Sequence, residues 1–129
     1  MIDEQKAVYQ ALLDAQSSGQ SAALVTVIHT QGSIPRHAGS KMLVCGDGSC
    51  VGTVGGGAME SEAMKEALTA LLDGEIRLKT YTLNSIADGD PGICGGSVQL
   101  FIEPIFPAPT LLVIGGGHVG KALAELGVW

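Results

Sequence analysis

Glycine punctuates this chain in five clusters, QGS, CGDGSC, VGTVGGG, PGICGG and VIGGGHVG, each adjoining apolar segments. The nineteen glycines are therefore no low-complexity run. They mark tight turns or backbone brought close to a ligand. Between them the apolar spacing switches between helical and strand periods, the pattern of a layered α/β domain. Hydrophobic residues are 46% of the 129 and charged residues 16%, enough for a core and too apolar for disorder.

Residues 3–17 predict an amphipathic helix, with Ala7, Leu12 and Ala15 among its small or apolar positions and Gly19 as its stop. ALVTVIHT (23–30) is β-branched and predicts a buried strand. QGSIPRHAGS follows as a loop, since Pro35 disfavours helix at Ile34. KMLVC and CVGTV flank Gly46-Asp47-Gly48-Ser49, a hairpin signal. Gly55-Gly56-Gly57 leads into a helix over about 58–72, with Met64, Leu68, Leu71 and Leu72 as the expected buried stripe and Gly74 closing it. Strands at about 76–83 and 97–104 enclose LNSIADGDPGICGG.

Residues 1–104 are thus expected to form a mixed-sheet α/β domain with packed helices. The hairpin demands antiparallel neighbours, and the helix at 58–72 permits a crossover. PIFPAP holds three prolines, so 105–109 reads as a stiff linker. In 110–129 a strand, a glycine turn and a helix start resemble the opening of an incomplete Rossmann-type domain, expected to pack on the N-terminal domain or on a second copy.

The net charge of −6 and seven scattered Lys and Arg residues provide no basic stripe for nucleic acid. The N-terminal stretch carries acids and no continuous apolar core, so it does not read as a signal peptide, and no apolar run is long enough for a membrane span. Three cysteines without a secretory signal point to reduced thiols and the cytoplasm.

Five features carry candidate chemistry. Gly115, Gly117 and Gly120 fit G-x-G-x-x-G between a strand and a helix, where amides approach a pyrophosphate. The second strand and its ribose-binding acid do not follow in this chain, so NAD(P) binding is not expected of it. Gly55, Gly56 and Gly57 form a second glycine turn at a helix start, an anion site in which Glu60 either takes part or is a plain dipole-favouring acid. Ser33, Arg36 and Lys41 lie in a polar loop where Arg36 offers a planar fork to phosphate or a pterin edge, or else is a solvated surface charge. Cys94, followed by Gly95 and Gly96, is either a thiol within reach of a ligand or a buried structural cysteine. Cys45 and Cys50 flank the hairpin turn and are expected to face each other; no paired C-x-x-C spacing supports a metal site.

GSIPRHAGSKMLV, GTVGGGAMESEA, GICGGSVQLFIEP and LLVIGGGHVGKAL, in this order, resemble the XdhC/CoxI family. The resemblance covers nearly the whole chain. It implies an accessory protein of xanthine dehydrogenase and related molybdenum hydroxylases, one that binds molybdenum cofactor, helps its sulfuration and delivers it to the apoenzyme. On that reading the Arg36–Lys41 loop and the Gly55–Gly57 turn hold the phosphate and pterin, with Cys94 the candidate thiol near the dithiolene. Turnover of its own is not implied. Two other readings remain: a nicotinamide-dependent oxidoreductase fragment, and a truncated fragment that only oligomerises.

Overall fold

The β-branched run after the first helix becomes the centre of a five-stranded sheet. In the computed structural model, which describes residues 2–32, 36–82 and 96–128, α1 (Ile2–Ser17) leads to β1 (Ala22–Gln31), then β2 (Lys41–Cys45) and β3 (Cys50–Gly52). After these come α2 (Gly57–Asp73), β4 (Arg77–Thr82), β5 (Ser97–Ile105) and α3 (His118–Leu126). The strand order is β3-β2-β1-β5-β4.

All four pairings are antiparallel, which corrects the expectation of a mixed sheet. The crossover through α2 does exist, and it joins strands of the same direction. It carries the chain from β3 at one edge to β4 at the other, with three strands between them, so no parallel pair forms. Pro104 lies in β5 beyond Ile102, where pairing with β4 has ended and the sheet tolerates proline.

The strand alternation builds two cores. Ala23, Val25, Val27, Met42, Val44, Val98, Leu100 and Ile102 point to the face covered by α2. Ala22 and Leu43 point to the other face, where α1 brings Val8 and Ala15 against β2 and β3. The buried stripe of α2 is Met59, Ala63, Ala67 and Ala70, whereas Met64, Leu68 and Leu71 flank it half-buried and Leu72 is 89% exposed. This corrects the expected stripe. Alanines face the sheet because small side chains let the helix lie close to it, and the larger residues fill the margins. No described helix is long and apolar enough to cross a membrane.

The segment expected as a strand at 110–114 has no ladder partner and is no strand, because strands exist by pairing. Nor do 110–128 pack on the N-terminal domain, as one of the two expectations had it. No described residue of α3 is buried, and Leu112, Ile114 and Val119 are exposed.

At the far end of α2, Asp73 accepts hydrogen bonds from Arg77, and Glu66 bridges Arg77 and Lys79 at 3.2 and 2.9 Å. The Arg77 hydrogen bond holds the Asp73 carboxyl down at about 2. A carboxylate depressed in the fold stabilises above its unfolded pKa and loses that contribution as pH falls through the folded value. Melting temperature is therefore expected to fall between pH 4 and pH 2, with a shallower fall in Asp73→Asn. Identical acid profiles would show that the contact contributes nothing.

Candidate anion-binding end of the sheet

Strand register gathers the candidate loops. Gln31 pairs with Ser97, Ser97 with Thr82, Lys41 with Thr26, and Gly52 with Met42. The ends of β1, β3 and β4 and the starts of β2 and β5 therefore lie at one end of the sheet. Three glycine-containing connections, 32–40, 53–56 and 83–96, leave from that end. A Cβ on Gly32 would lie 2.8 Å from the Cα of buried Gly96, so two of these connections touch backbone to backbone.

Both large helices point their N-termini the same way. α1 starts there, since Gln5 Nε2 donates to the Gly39 carbonyl at 3.1 Å and Arg36 pairs with Glu4 at 3.1 Å. α2 starts there directly after β3. α1 lies on one face of the sheet and α2 on the other, so each face carries at this end a positive dipole end that favours an anion. Lys41 adds its charge, its ammonium donating to Thr26 Oγ1 at 3.1 Å, and Arg36 is partly exposed, its side chain at 32%. Glu4, Gln5 and Thr26 escaped the sequence reading. Each acts across many residues, and no short motif encodes such a pairing.

At the second glycine turn, Gly55, Gly56 and Gly57 have φ values of 145°, 82° and 66°. Three consecutive residues in that region exclude any other residue type without strain. Beside Gly56 and Gly57 an added Cβ would meet nothing within 4 Å, so the turn faces open space. Glu60 Oε2 accepts hydrogen bonds from the Thr53 hydroxyl, from Val54 N–H at 3.3 Å and from Gly56 N–H at 3.0 Å. In this structure, then, the acid ties down its own turn.

Ser33, Cys94 and Gly95 lie outside the described residues. Cys45 and Cys50 do not face each other: Cys50 pairs with Val44, whose side faces α2, while Cys45 packs on the α1 side. Strand alternation puts them on opposite faces, so they cannot share a metal ion. Among the described residues no group of three His, Cys, Asp or Glu is placed to hold one. Gly115, Gly117 and Gly120 sit apart, past Ile105, which pairs with Ala22 at the opposite end of the sheet. A Cβ on Gly120 would collide with the Gly115 carbonyl, the close helix-to-turn approach that such a glycine allows.

Comparison with known proteins gives this arrangement relatives. Residues 15–82, just over half the chain, match the sequence pattern of the XdhC and CoxI family. YqeB of Escherichia coli K12 is 39% identical over 104 residues, which cover 80% of this chain and 19% of YqeB. The molybdenum cofactor insertion chaperone PaoD of the same organism is 30% identical over 119 residues, covering 88% of this chain and 36% of PaoD. A crystal structure of a xanthine dehydrogenase from Bacillus halodurans superposes with a TM-score of 0.62 at 29% identity, over 76% of this chain and 30% of that one. The chain thus spans a fifth to about a third of the length of these curated relatives.

Proposed function

The chain belongs to the XdhC and CoxI family, and on that premise we propose that it handles molybdenum cofactor for a molybdenum hydroxylase. It binds molybdopterin, assists sulfuration and supports insertion into a xanthine dehydrogenase-like apoenzyme in the cytoplasm. It works as an accessory factor, and as a homodimer. The observation that carries the reading is the convergence of three glycine-containing loops, two helix N-termini, Arg36 and Lys41 on one end of the sheet. PaoD, an insertion chaperone, is related along 88% of this chain, which supports the same role.

The residues present suit the ligand. Molybdopterin carries a phosphate and a polar planar ring. The amides of the first turn of α2 have no partner within their helix and suit the phosphate, while the Lys41 ammonium offers a charge on the α1 face of the same sheet end. Arg36 would exchange Glu4 for the ligand and give a forked contact. Ser33, Gly95 and Gly96 would line the approach, with Cys94 beside the dithiolene, which holds the metal when the cofactor is bound.

The test is a fluorescence titration with molybdopterin, run beside one with NAD(H). Saturable binding of molybdopterin alone is expected. Arg36→Ala should weaken it by about 1.5 kcal/mol, roughly tenfold in Kd, for a charge-assisted contact at a partly exposed site. Equal affinity of variant and parent would return Arg36 to its ion pair with Glu4. Binding of NAD(H) in place of molybdopterin would favour the oxidoreductase reading.

A further inference from the structure

We propose that Glu60 is a positioning residue of this site, holding the Thr53–Gly57 turn so that the first amides of α2 stay presented to the anionic group, without touching that group itself. The proposal rests on the molybdopterin reading above. Its ground is the pattern of donors around one carboxylate. Oε2 takes the Thr53 hydroxyl and the N–H groups of Val54 and Gly56, and Thr53 Oγ1 in turn accepts the Gly55 N–H at 3.2 Å. Every amide from Val54 to Gly56 is thereby engaged by Glu60 or by the hydroxyl bonded to it.

The amides of Gly57, Ala58 and Met59 come next, and a helix leaves its first N–H groups without a partner of its own. Gly57 and Ala58 are exposed. Gly55 and Gly56 before them, and Gly57 itself, have φ of 145°, 82° and 66°, a conformation that glycines adopt at the largest loss of chain freedom. A carboxylate anchored in the rigid first turn of α2 and bonded back across that turn removes this freedom before a ligand arrives. Preorganisation of this kind raises affinity by lowering the ordering cost of binding. An anionic side chain in the ligand's own place would do the reverse and compete.

The experiment compares Glu60→Ala, Glu60→Gln and the parent by molybdopterin titration and by amide hydrogen exchange at Val54 and Gly56, with circular dichroism to verify folding. Gln keeps a carbonyl oxygen for the same donors and loses only the charge. Glu60→Ala is expected to weaken binding roughly tenfold and to speed exchange at both amides, while Glu60→Gln stays within about threefold of the parent. If Glu60→Gln loses as much as Glu60→Ala, the charge meets the ligand and the proposal falls. Tighter binding by both variants would make Glu60 a competitor, and unchanged binding by Glu60→Ala would make it irrelevant; either overturns the proposal. Should Glu60→Ala not fold, Thr53→Val, which removes the hydroxyl joining Glu60 to Gly55, carries the same comparison. A parent that binds no molybdopterin sinks the reading of the site, and unchanged exchange at Val54 and Gly56 in Glu60→Ala then sinks the positioning role separately.

Discussion

Gly52→Ala is expected to lower the free energy of unfolding by at least about 2 kcal/mol, a large share of what a domain of this size holds. Gly52 closes β3 with φ at 81°, and a Cβ there would lie 2.5 Å from the Lys41 carbonyl oxygen and 2.5 Å from Val8 Cγ2. Neither neighbour can yield easily. The Lys41 backbone sits in the ladder opposite Thr26, and Val8 is fully buried where α1 meets the sheet. Relief would have to lift α1 or part β2 from β3, at the sheet end that carries the candidate site. Gly48→Ala is the control. Its φ is 84° but an added Cβ meets nothing within 4 Å, so only backbone strain remains, about 1 kcal/mol. Urea unfolding of the two variants separates crowding from strain. Equal midpoints would mean that the close approach at Gly52 contributes nothing.

Gly52 also shows what the sequence could and could not convey. Its place in VGTVGGG marks a special backbone position, yet the reason for it, contact with Lys41 and Val8, is a matter of tertiary structure. Local periodicity was enough for α1, for β1 and for the β2–β3 hairpin, because each is specified by neighbours in the chain. Strand order was not legible, because nothing local says whether a crossover lands beside its first strand or at the far edge of the sheet. Bulk is a poor sign of burial in α2, because the helix turns Ala63, Ala67 and Ala70 inward. The site was legible as a set of loops. Its convergence followed from register, and its fine structure from side chains such as Glu4, which meets Arg36 from another element. Glu60 stood in view from the start, but its partners became visible only once Thr53 and the glycine turn had a shape.

The segment after β5 is expected to hold two copies of the chain together. α3 lies against the residues before it: Leu111 Cδ2 lies against Gly127 and Val113 Cγ1 against Gly120. Leu112 and Ile114 have no such cover and are 79% and 91% exposed, and Val119, Leu126 and Val128 add further bare apolar surface. The backbone of 110–114 has no ladder partner among the described residues, so its N–H and C=O groups are open to pairing with an equivalent segment. A two-fold arrangement of two such segments would satisfy both needs at once, backbone pairing along the edge and burial of Leu112 and Ile114. The full chain should therefore sediment as a dimer. Leu112→Glu combined with Ile114→Glu should give a monomer with an unchanged circular dichroism spectrum, because neither side chain supports the N-terminal core. A parent that sediments as a monomer at high concentration would refute the dimer. A variant that stays dimeric would move the contact elsewhere, with the unpaired outer edge of β4 as the next surface to test.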